Sequence, residues 1–341
     1  YFVDNCPKHF EEKGETDKMK RTTVRLWTRE EYLYEGACGF LPRLDGYLHE
    51  GALARPSVII APGGAYHRCS PEEGEPVALR FYDMGYQAFV CTYTIDQRQM
   101  PLRRQPLLDL ARAVWHVRMN SGEYCADPCK ITVYGFSAGG HAAGTLGVHW
   151  QDGKVEGTGV SCRPDALVLC YPVLTVFTPI AHENTCFHLL GENPTEEEKE
   201  YMRLDRQVTG ECPPVFLWHT VTDEDVSVDN SISFAMACRK NKVPVALHLY
   251  SDGPHGLSVG DGTSGLTKDN SYTLEQTRFT LQALREGRIV MDEEQRENYF
   301  QQREVRAAEG DASLEVPKNY HQEVLSWPRL ADAWIRRTLG C

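Results

Sequence analysis

The chain has 341 residues, 41% of them apolar, and a formal net charge of −12 at neutral pH. This composition predicts a globular protein with a large buried core, and the acidic balance argues against a nucleic-acid partner, because phosphate binding needs a basic face. No run approaches the roughly eighteen apolar residues of a membrane span, so we expect no membrane partner.

Short apolar runs alternate with longer helical patterns along the chain. Several runs, such as SVIIA and ALVLC, are apolar on both faces, which is typical of a parallel sheet covered by helices on both sides. The sequence therefore predicts an α/β fold with a mostly parallel, twisted sheet. The predicted strands are Thr23–Trp27, Ser57–Ala61, Gln87–Tyr93, Lys130–Tyr134, Ala166–Tyr171, Pro214–Trp218 and Val245–Tyr250, and the predicted helices include Leu107–Met119, Val228–Asn241 and Val324–Leu339.

A segment at about 260–320 departs from this alternation. It contains MDEEQRENYFQQREVRAAEGD, which would be polar nearly all round as a helix. We predict one domain over 1–341, with a mostly helical insertion at 260–320 before the last helix. Two roles stay open for the insertion: a cap or dimer arm beside the site, or a solvated hairpin with no role. The sequence also leaves open whether the protein forms a homo-oligomer.

The cysteines are twelve in number and several lie in apolar runs, as Cys91 does in AFVCTY and Cys170 does in LVLCYP. This is the usage of small buried thiols. Cys125 and Cys129 lie close together, but no second pair of ligands accompanies them, so we expect no zinc site. The first residues, YFVDNCPKHFEEKGE, also lack a signal-peptide pattern. We expect a reduced, cytoplasmic protein, with a removed signal peptide as the alternative.

One serine is crowded by small residues in VYGFSAGGHAAG. Gly135, Ser137 and Gly139 fit G-x-S-x-G, between the strand KITVY and the small-residue helix AGGHAAGTLG. A strand-to-helix turn with flanking glycines is the setting of a nucleophile elbow, in which the serine hydroxyl stands exposed at the sheet edge. The positive end of the helix then faces any oxyanion. The pattern predicts Ser137 as a nucleophile.

A serine nucleophile needs a base, and the base needs an orienting acid. On a fold of this kind they should follow in the order Ser, Asp, His, at the carboxyl ends of strands. His255 lies in SDGPHGLS, after the last predicted strand, and is our candidate for the base. The remaining histidines fit less well: His141 should point down its helix, His219 should brace the acid loop, and His248 should either pack within its strand or lie at the surface.

The acid has four candidates in HTVTDEDVSVDNS, namely Asp223, Glu224, Asp225 and Asp229. Asp225 and Asp229 lie where the next helix begins, and carboxylates there are explained by the helix dipole alone. Asp223 lies further back in the loop and is free to turn toward the sheet edge. We favour Asp223, with Asp225 as the second choice.

An oxyanion hole needs backbone N–H groups aimed at the substrate carbonyl. Ala138, directly after the nucleophile, should supply one. The glycine loop SVIIAPGGAYHRCSPEEGEP follows an early strand, and Gly63 or Gly64 should supply the other. The same loop lacks the G-x-x-x-x-G-K-[ST] pattern of a phosphate loop.

Together these motifs resemble those of the α/β-hydrolase carboxylesterases, and most closely the acetyl-xylan-esterase-like branch related to hormone-sensitive lipase. The resemblance covers roughly 55–258 and the terminal helix. Two positions depart from it: the oxyanion loop reads PGGAY where the lipase-like branch has HGGG, and Ser227 stands where a proline is usual. The motifs are PGGAY at 62–66, GFSAGGH at 135–141, WHT at 218–220 with Asp223 and Val226, and GPHG at 253–256.

The resemblance implies a Ser137–His255–Asp223 triad on an α/β-hydrolase fold, with Gly63, Gly64 and Ala138 in the oxyanion hole. It implies a serine esterase for short-chain esters, above all acetyl esters, with a small molecule or an oligosaccharide as the alcohol. A peptidase, amidase or formamidase would use the same triad and is the alternative, and a non-catalytic binding protein on this scaffold is a third. No cofactor and no metal are expected.

Overall fold

A computed structural model of the chain describes residues 19–96, 100–177, 179–261, 273, 275–289, 293, 296–297, 300 and 322–341. The described part contains one sheet of eight strands in the order β1-β2-β4-β3-β5-β6-β7-β8. Strands β1 and β2 are antiparallel to their neighbours, and the remaining pairs are parallel. The strands are β1 Lys20–Arg25, β2 Arg43–Leu48, β3 Arg55–Ala61, β4 Gln87–Thr92, β5 Ala126–Phe136, β6 Ala166–Cys170, β7 Val215–Thr220 and β8 Val245–Tyr250.

Helices cover both faces of the sheet. Along β3, Ile59 packs on the face covered by helices Gln105–Met119, Ser137–His149 and Asp229–Lys240, whereas Val58 and Ile60 pack on the face covered by helices Glu75–Asp83 and Trp327–Leu339. This two-sided burial is why the parallel strands read as continuous apolar runs. The helices are α1 Glu75–Asp83, α2 Gln105–Met119, α3 Ser137–His149, α4 Glu183–Leu190, α5 Glu196–Tyr201, α6 Leu204–Gln207, α7 Asp229–Lys240, α8 Glu275–Arg285 and α9 Trp327–Leu339.

The predicted α/β architecture, with its mostly parallel sheet, is confirmed. Strand β2 and helices α1, α4, α5 and α6 were not predicted. β2 reads RLDGYL, and its Asp45 and Gly46 interrupt the apolar alternation that marks a strand. The hydrogen-bond partners of the buried Asp45 carboxylate come from β1 and β2 themselves: it accepts hydrogen bonds from Thr23 Oγ1 at 2.7 Å and from Arg43 Nε at 2.8 Å.

Most of the predicted insertion lies outside the described residues, and so does its predicted role as a cap or dimer arm. Helix α8 is its main described element, and it docks on the antiparallel edge of the sheet. Glu275 pairs with Arg25 at 2.6 Å and with Arg43 at 2.9 Å. The Gln276 side chain donates to the carbonyl of Tyr93 at 2.6 Å, just beyond β4. This part of the insertion is therefore anchored to the same sheet.

Among the helices of the described residues, none combines the length with the hydropathy needed to cross a membrane.

Candidate active site

Ser137 lies at a sharp turn between β5 and α3. Its φ is +51°, a left-handed conformation that few side chains adopt without strain. The flanking glycines make the turn sterically possible: a Cβ on Gly139 would overlap the carbonyl of Ala61, and a Cβ on Gly135 would lie 2.7 Å from that of Ala143. The glycines therefore let α3 start directly against β3 and β5, with Ser137 at the junction.

Ser137, His255 and Asp223 form one chain of hydrogen bonds. His255 Nε2 lies 2.8 Å from Ser137 Oγ, and His255 Nδ1 lies 2.7 Å from Asp223 Oδ2. A carboxylate can only accept, so Nδ1 carries the proton in the neutral ring and Nε2 is left to accept from the serine hydroxyl. The three residues come from loops after three different strands and meet at one edge of the sheet. This is the geometry of a nucleophile, a base and an orienting acid.

Asp223 is the acid candidate that the structure brings to His255. The carboxylates of Glu224, Asp225 and Asp229 lie on exposed residues, whereas Asp223 is buried. Its second oxygen, Oδ1, accepts the backbone amides of Asp225 at 3.0 Å and Val226 at 2.9 Å.

Burial alone would raise the pKa of Asp223, but hydrogen bonds from His219, His255 and the Val226 amide outweigh it. They hold the pKa well below its usual range. Asp223 is therefore ionised at neutral pH, as the orienting acid of a triad must be.

His219 and His141 make contacts that support the framework of the site. His219 is fully buried, and its Nε2 lies 3.0 Å from the carbonyl of Val226 and 3.2 Å from Asp223 Oδ2, so it braces the acid loop as expected. His141 is fully buried, with its Nδ1 2.9 Å from the hydroxyl of Tyr66 and its Nε2 3.3 Å from the carbonyl of Met202. Burial lowers the pKa of His141 to about 4, so the ring is neutral.

The charge state of His255 follows from two opposed effects. Burial favours the neutral ring, but the hydrogen bond and the negative charge of Asp223 favour the imidazolium more strongly, with smaller contributions from Glu73 and Asp225. The pKa of His255 is therefore raised above its ordinary value. Burial lowers the pKa of His182, which lies at the start of α4, and the nearby positive charge of His255 lowers it further.

The glycine loop after β3 passes directly beside the nucleophile. A Cβ on Gly63 would lie 2.8 Å from the Cβ of Ser137. The Gly63 amide, however, donates to the carboxylate of Glu73 at 2.6 Å, so it is already occupied. Gly64, with φ +118°, makes no hydrogen bond through its amide within the described residues. Ala138 lies in the first turn of α3, where amides have no partner inside the helix. Of the three predicted oxyanion donors, the geometry leaves Gly64 and Ala138 available.

The sequence analysis did not single out two residues that lie beside the site, Glu73 and Tyr171. Glu73 is 5% exposed and accepts the hydroxyl of Tyr171 at 2.7 Å. The Tyr171 ring meets the His255 ring edge to face, with 4.9 Å between the centroids. A glutamate in SPEEGEP reads as a solvated loop residue, and only the fold reveals that it is buried.

Within the described residues, no group of three His, Cys, Asp or Glu side chains is arranged to hold a metal ion. The Cys125 thiol, from the close pair singled out in the sequence, donates instead to the carbonyl of Gly51 at 2.8 Å. The absence of a metal or cofactor from the reaction stays a prediction.

Residues 44–237 match the model of the BD-FAE family, which is more than half of the chain. The chain belongs to the BD-FAE family. A family relative named endo-1,4-β-xylanase B, from Butyrivibrio fibrisolvens, is 41% identical over 77% of this chain and 42% of its own length. One named acetylxylan esterase, from Xylanibacter ruminicola, is 24% identical over 60% of this chain and 41% of its own length. The chain thus spans about two fifths of the length of these curated relatives.

A solved structure resembles this BD-FAE chain over about four fifths of this chain's length. It is the acetyl ester-xyloside bifunctional hydrolase from Caldicellulosiruptor lactoaceticus, with 36% identity, a TM-score of 0.66, and coverage of 79% of this chain and 97% of that one. The predicted α/β-hydrolase fold is confirmed, and so is the predicted resemblance to esterases of the acetyl-xylan-esterase-like branch.

Proposed function

We propose that this protein is a serine esterase that hydrolyses short-chain esters, above all acetyl esters of carbohydrates, through an acyl-enzyme. The observation that carries the proposal is the unbroken hydrogen-bonded chain from Asp223 through His255 to Ser137. It supplies an orienting acid, a base and a nucleophile in the order that acyl transfer needs.

The reaction follows from the geometry. Ser137 Oγ attacks the acyl carbonyl while its proton passes to His255 Nε2, and Asp223 stabilises the imidazolium that forms. The amides of Gly64 and Ala138 hold the oxyanion, each contributing about 3 kcal/mol to the barrier reduction. His255 then protonates the leaving alcohol, and water hydrolyses the acyl-enzyme by the same steps in reverse.

The carbohydrate part of the proposal is supported by the relatives. Proteins named as a xylanase, an acetylxylan esterase and an acetyl ester-xyloside hydrolase are similar to this chain in sequence or fold. All three names refer to xylan or a xyloside and two of them to an acetyl ester, so we take an acetylated xylo-oligosaccharide as the model substrate. The amidase alternative has no observation of its own in its favour and is an outcome of the test below.

The test compares four substrates with the full chain: p-nitrophenyl acetate, p-nitrophenyl octanoate, 4-nitroacetanilide and an acetylated xylo-oligosaccharide. We expect kcat/KM for the acetate to exceed that for the anilide by more than about 100-fold, because the triad must expel a poorer leaving group from the anilide. The acetate should also exceed the octanoate, and acetate should be released from the oligosaccharide. Equal turnover of the ester and the anilide would favour an amidase. If no acetate were released from the oligosaccharide, the proposal that the substrate is a carbohydrate ester would be abandoned.

The pH dependence of kcat/KM should show an acid limb. His255 acts as a base only when neutral, so activity is lost as the pH falls through its pKa. Because Asp223 raises that pKa, we expect the midpoint above the ordinary histidine value of about 6.5. The measurement is kcat/KM for p-nitrophenyl acetate from pH 5 to 9 at constant ionic strength. A flat profile between pH 5 and 8, or a midpoint below 6, would contradict the assigned base.

The proposal extends to organisation and location. The chain is taken as one α/β-hydrolase domain with an inserted segment at 260–320, which is supported by the docking of α8 on the sheet. A reducing, cytoplasmic location is supported by the thiols of Cys91, Cys170 and Cys238, which are buried and free.

A further inference from the structure

Glu73 is a buried carboxylate that the triad does not use. It ends the single 3₁₀ turn Pro71–Glu73 and is 5% exposed. Its Oε2 accepts the Gly63 amide at 2.6 Å, and its Oε1 accepts the Tyr171 hydroxyl at 2.7 Å. Both contacts are donated to it, as an ionised carboxylate requires.

The two contacts lead to opposite sides of the site. Gly63 precedes Gly64, whose amide is a proposed oxyanion donor, and its backbone lies against the Cβ of Ser137. Tyr171 packs its ring on His255 and accepts the amide of Ser258 at 3.0 Å, three residues beyond that histidine. One carboxylate thus holds the oxyanion loop and the histidine loop in a fixed relation.

Its charge is not neutralised by a direct ion pair. Glu75, two residues further on, is equally buried but pairs with Arg21 at 2.8 Å. Within the described residues Glu73 has no Lys or Arg within ion-pair distance, although Arg68 is near enough to act on it electrostatically. Burial raises the pKa of Glu73, so its charge is costly. A buried anion kept without a direct counter-ion points to a use for its charge.

The group that would use this charge is His255. Glu73 and His255 interact electrostatically in both directions, each favouring the charged form of the other. Among the described residues, the charged and titratable groups that face His255 are Asp223, Glu73 and Asp225, with His182 as the opposing one and the Tyr171 ring packed against the imidazole. A positive imidazolium forms during acyl transfer, so a second buried anion nearby favours the transition state over the ground state.

We propose that Glu73 is a positioning residue of the esterase. Its carboxylate fixes the Gly63 peptide, so that the following amide is directed to the oxyanion, and it supplies a second negative charge beside His255. This inference rests on the proposed function, because it assigns Glu73 a role in that same reaction.

The test is Glu73→Gln, which keeps the shape and one acceptor oxygen but removes the charge. We expect kcat for p-nitrophenyl acetate to fall about 10- to 100-fold with KM within about threefold, as for an interaction made chiefly in the transition state. The acid limb of kcat/KM should move to lower pH, because loss of a negative charge lowers the pKa of His255.

Two further variants separate charge from position. Glu73→Asp keeps the charge but cannot reach both donors, so we expect a lower kcat with the acid limb near its wild-type pH. Glu75→Gln is the matched control: it removes a carboxylate of equal burial from the same region, and we expect kcat and the acid limb to stay unchanged.

The outcomes are distinct. Wild-type kcat in Glu73→Gln, an unmoved acid limb, or an equal effect in Glu75→Gln would each overturn the inference. If both Glu73 variants unfold, as thermal unfolding would show, Tyr171→Phe decides, because it removes the hydroxyl that joins Glu73 to the Ser258 amide and keeps the ring: an unchanged kcat overturns the inference and a lowered kcat supports it. Failure of the proposed function differs from all of these, because the wild-type protein itself would then not hydrolyse esters.

Discussion

Ser137→Ala is expected to lower kcat/KM for p-nitrophenyl acetate by about 10⁴- to 10⁶-fold, because no other group supplies the attacking oxygen. Ser137 Oγ lies 2.8 Å from His255 Nε2, and this is the contact that the substitution removes. Alanine fits the same space at the turn, so the fold should be retained. The measurement is steady-state hydrolysis at pH 7.5, with a fluorophosphonate probe as a second readout: the wild-type protein should be labelled and the variant should not.

A surface serine provides the control for this prediction. Ser161 is exposed and far from the site in the chain, and Ser161→Ala should leave both readouts at the wild-type level. If Ser137→Ala kept more than about a tenth of the wild-type rate, another nucleophile or direct attack by water would have to be considered. The esterase mechanism in its present form would then be abandoned.

Asp223→Asn should lower kcat by about 10³- to 10⁴-fold, whereas Asp225→Asn should change it by less than about threefold. The neutral amide neither holds the Nδ1 proton of His255 as a carboxylate does nor stabilises the imidazolium. Asp223 Oδ2 lies 2.7 Å from that nitrogen. Asp225 contributes mainly its backbone amide, which the substitution leaves in place.

This pair of variants decides between the two acids that the sequence left open. Comparable losses in both, or a larger loss in Asp225→Asn, would reverse the assignment. Asp223 also accepts two backbone amides, so part of any loss could come from a distorted loop. Thermal unfolding and fluorophosphonate labelling of Ser137 identify that case: an intact loop leaves the unfolding temperature near that of the wild-type protein and slows labelling without abolishing it.

The proposed nucleophile and base could be singled out from the sequence because their signals are local. Ser137 lies among glycines whose spacing has a steric cause, since a Cβ on Gly139 would overlap the backbone of β3. His255 lies in a short loop directly after β8. In both cases a strand end, which apolar patterning reveals, brings the residue to the edge of the sheet.

The proposed acid and oxyanion donors were harder to single out because their surroundings depend on residues elsewhere in the chain. Four carboxylates in one loop are equivalent in sequence, and Asp223 is distinguished by the hydrogen bonds that turn it inward. Gly63 and Gly64 likewise look alike in sequence. The first is occupied by Glu73, ten residues further on, and the second is left for a ligand.

The sequence by itself determined the α/β class and the family resemblance, and it singled out Ser137 and His255 as the proposed nucleophile and base, because periodicity and glycine spacing are local consequences of backbone sterics and burial. Only the tertiary structure decided the pairing of β2, the contact of Asp223 with His255, the occupation of the Gly63 amide and the burial of Glu73. Each of these is a contact between segments distant in the chain or a choice among chemically equivalent groups. Such contacts depend on how the whole chain packs, and no local pattern encodes them.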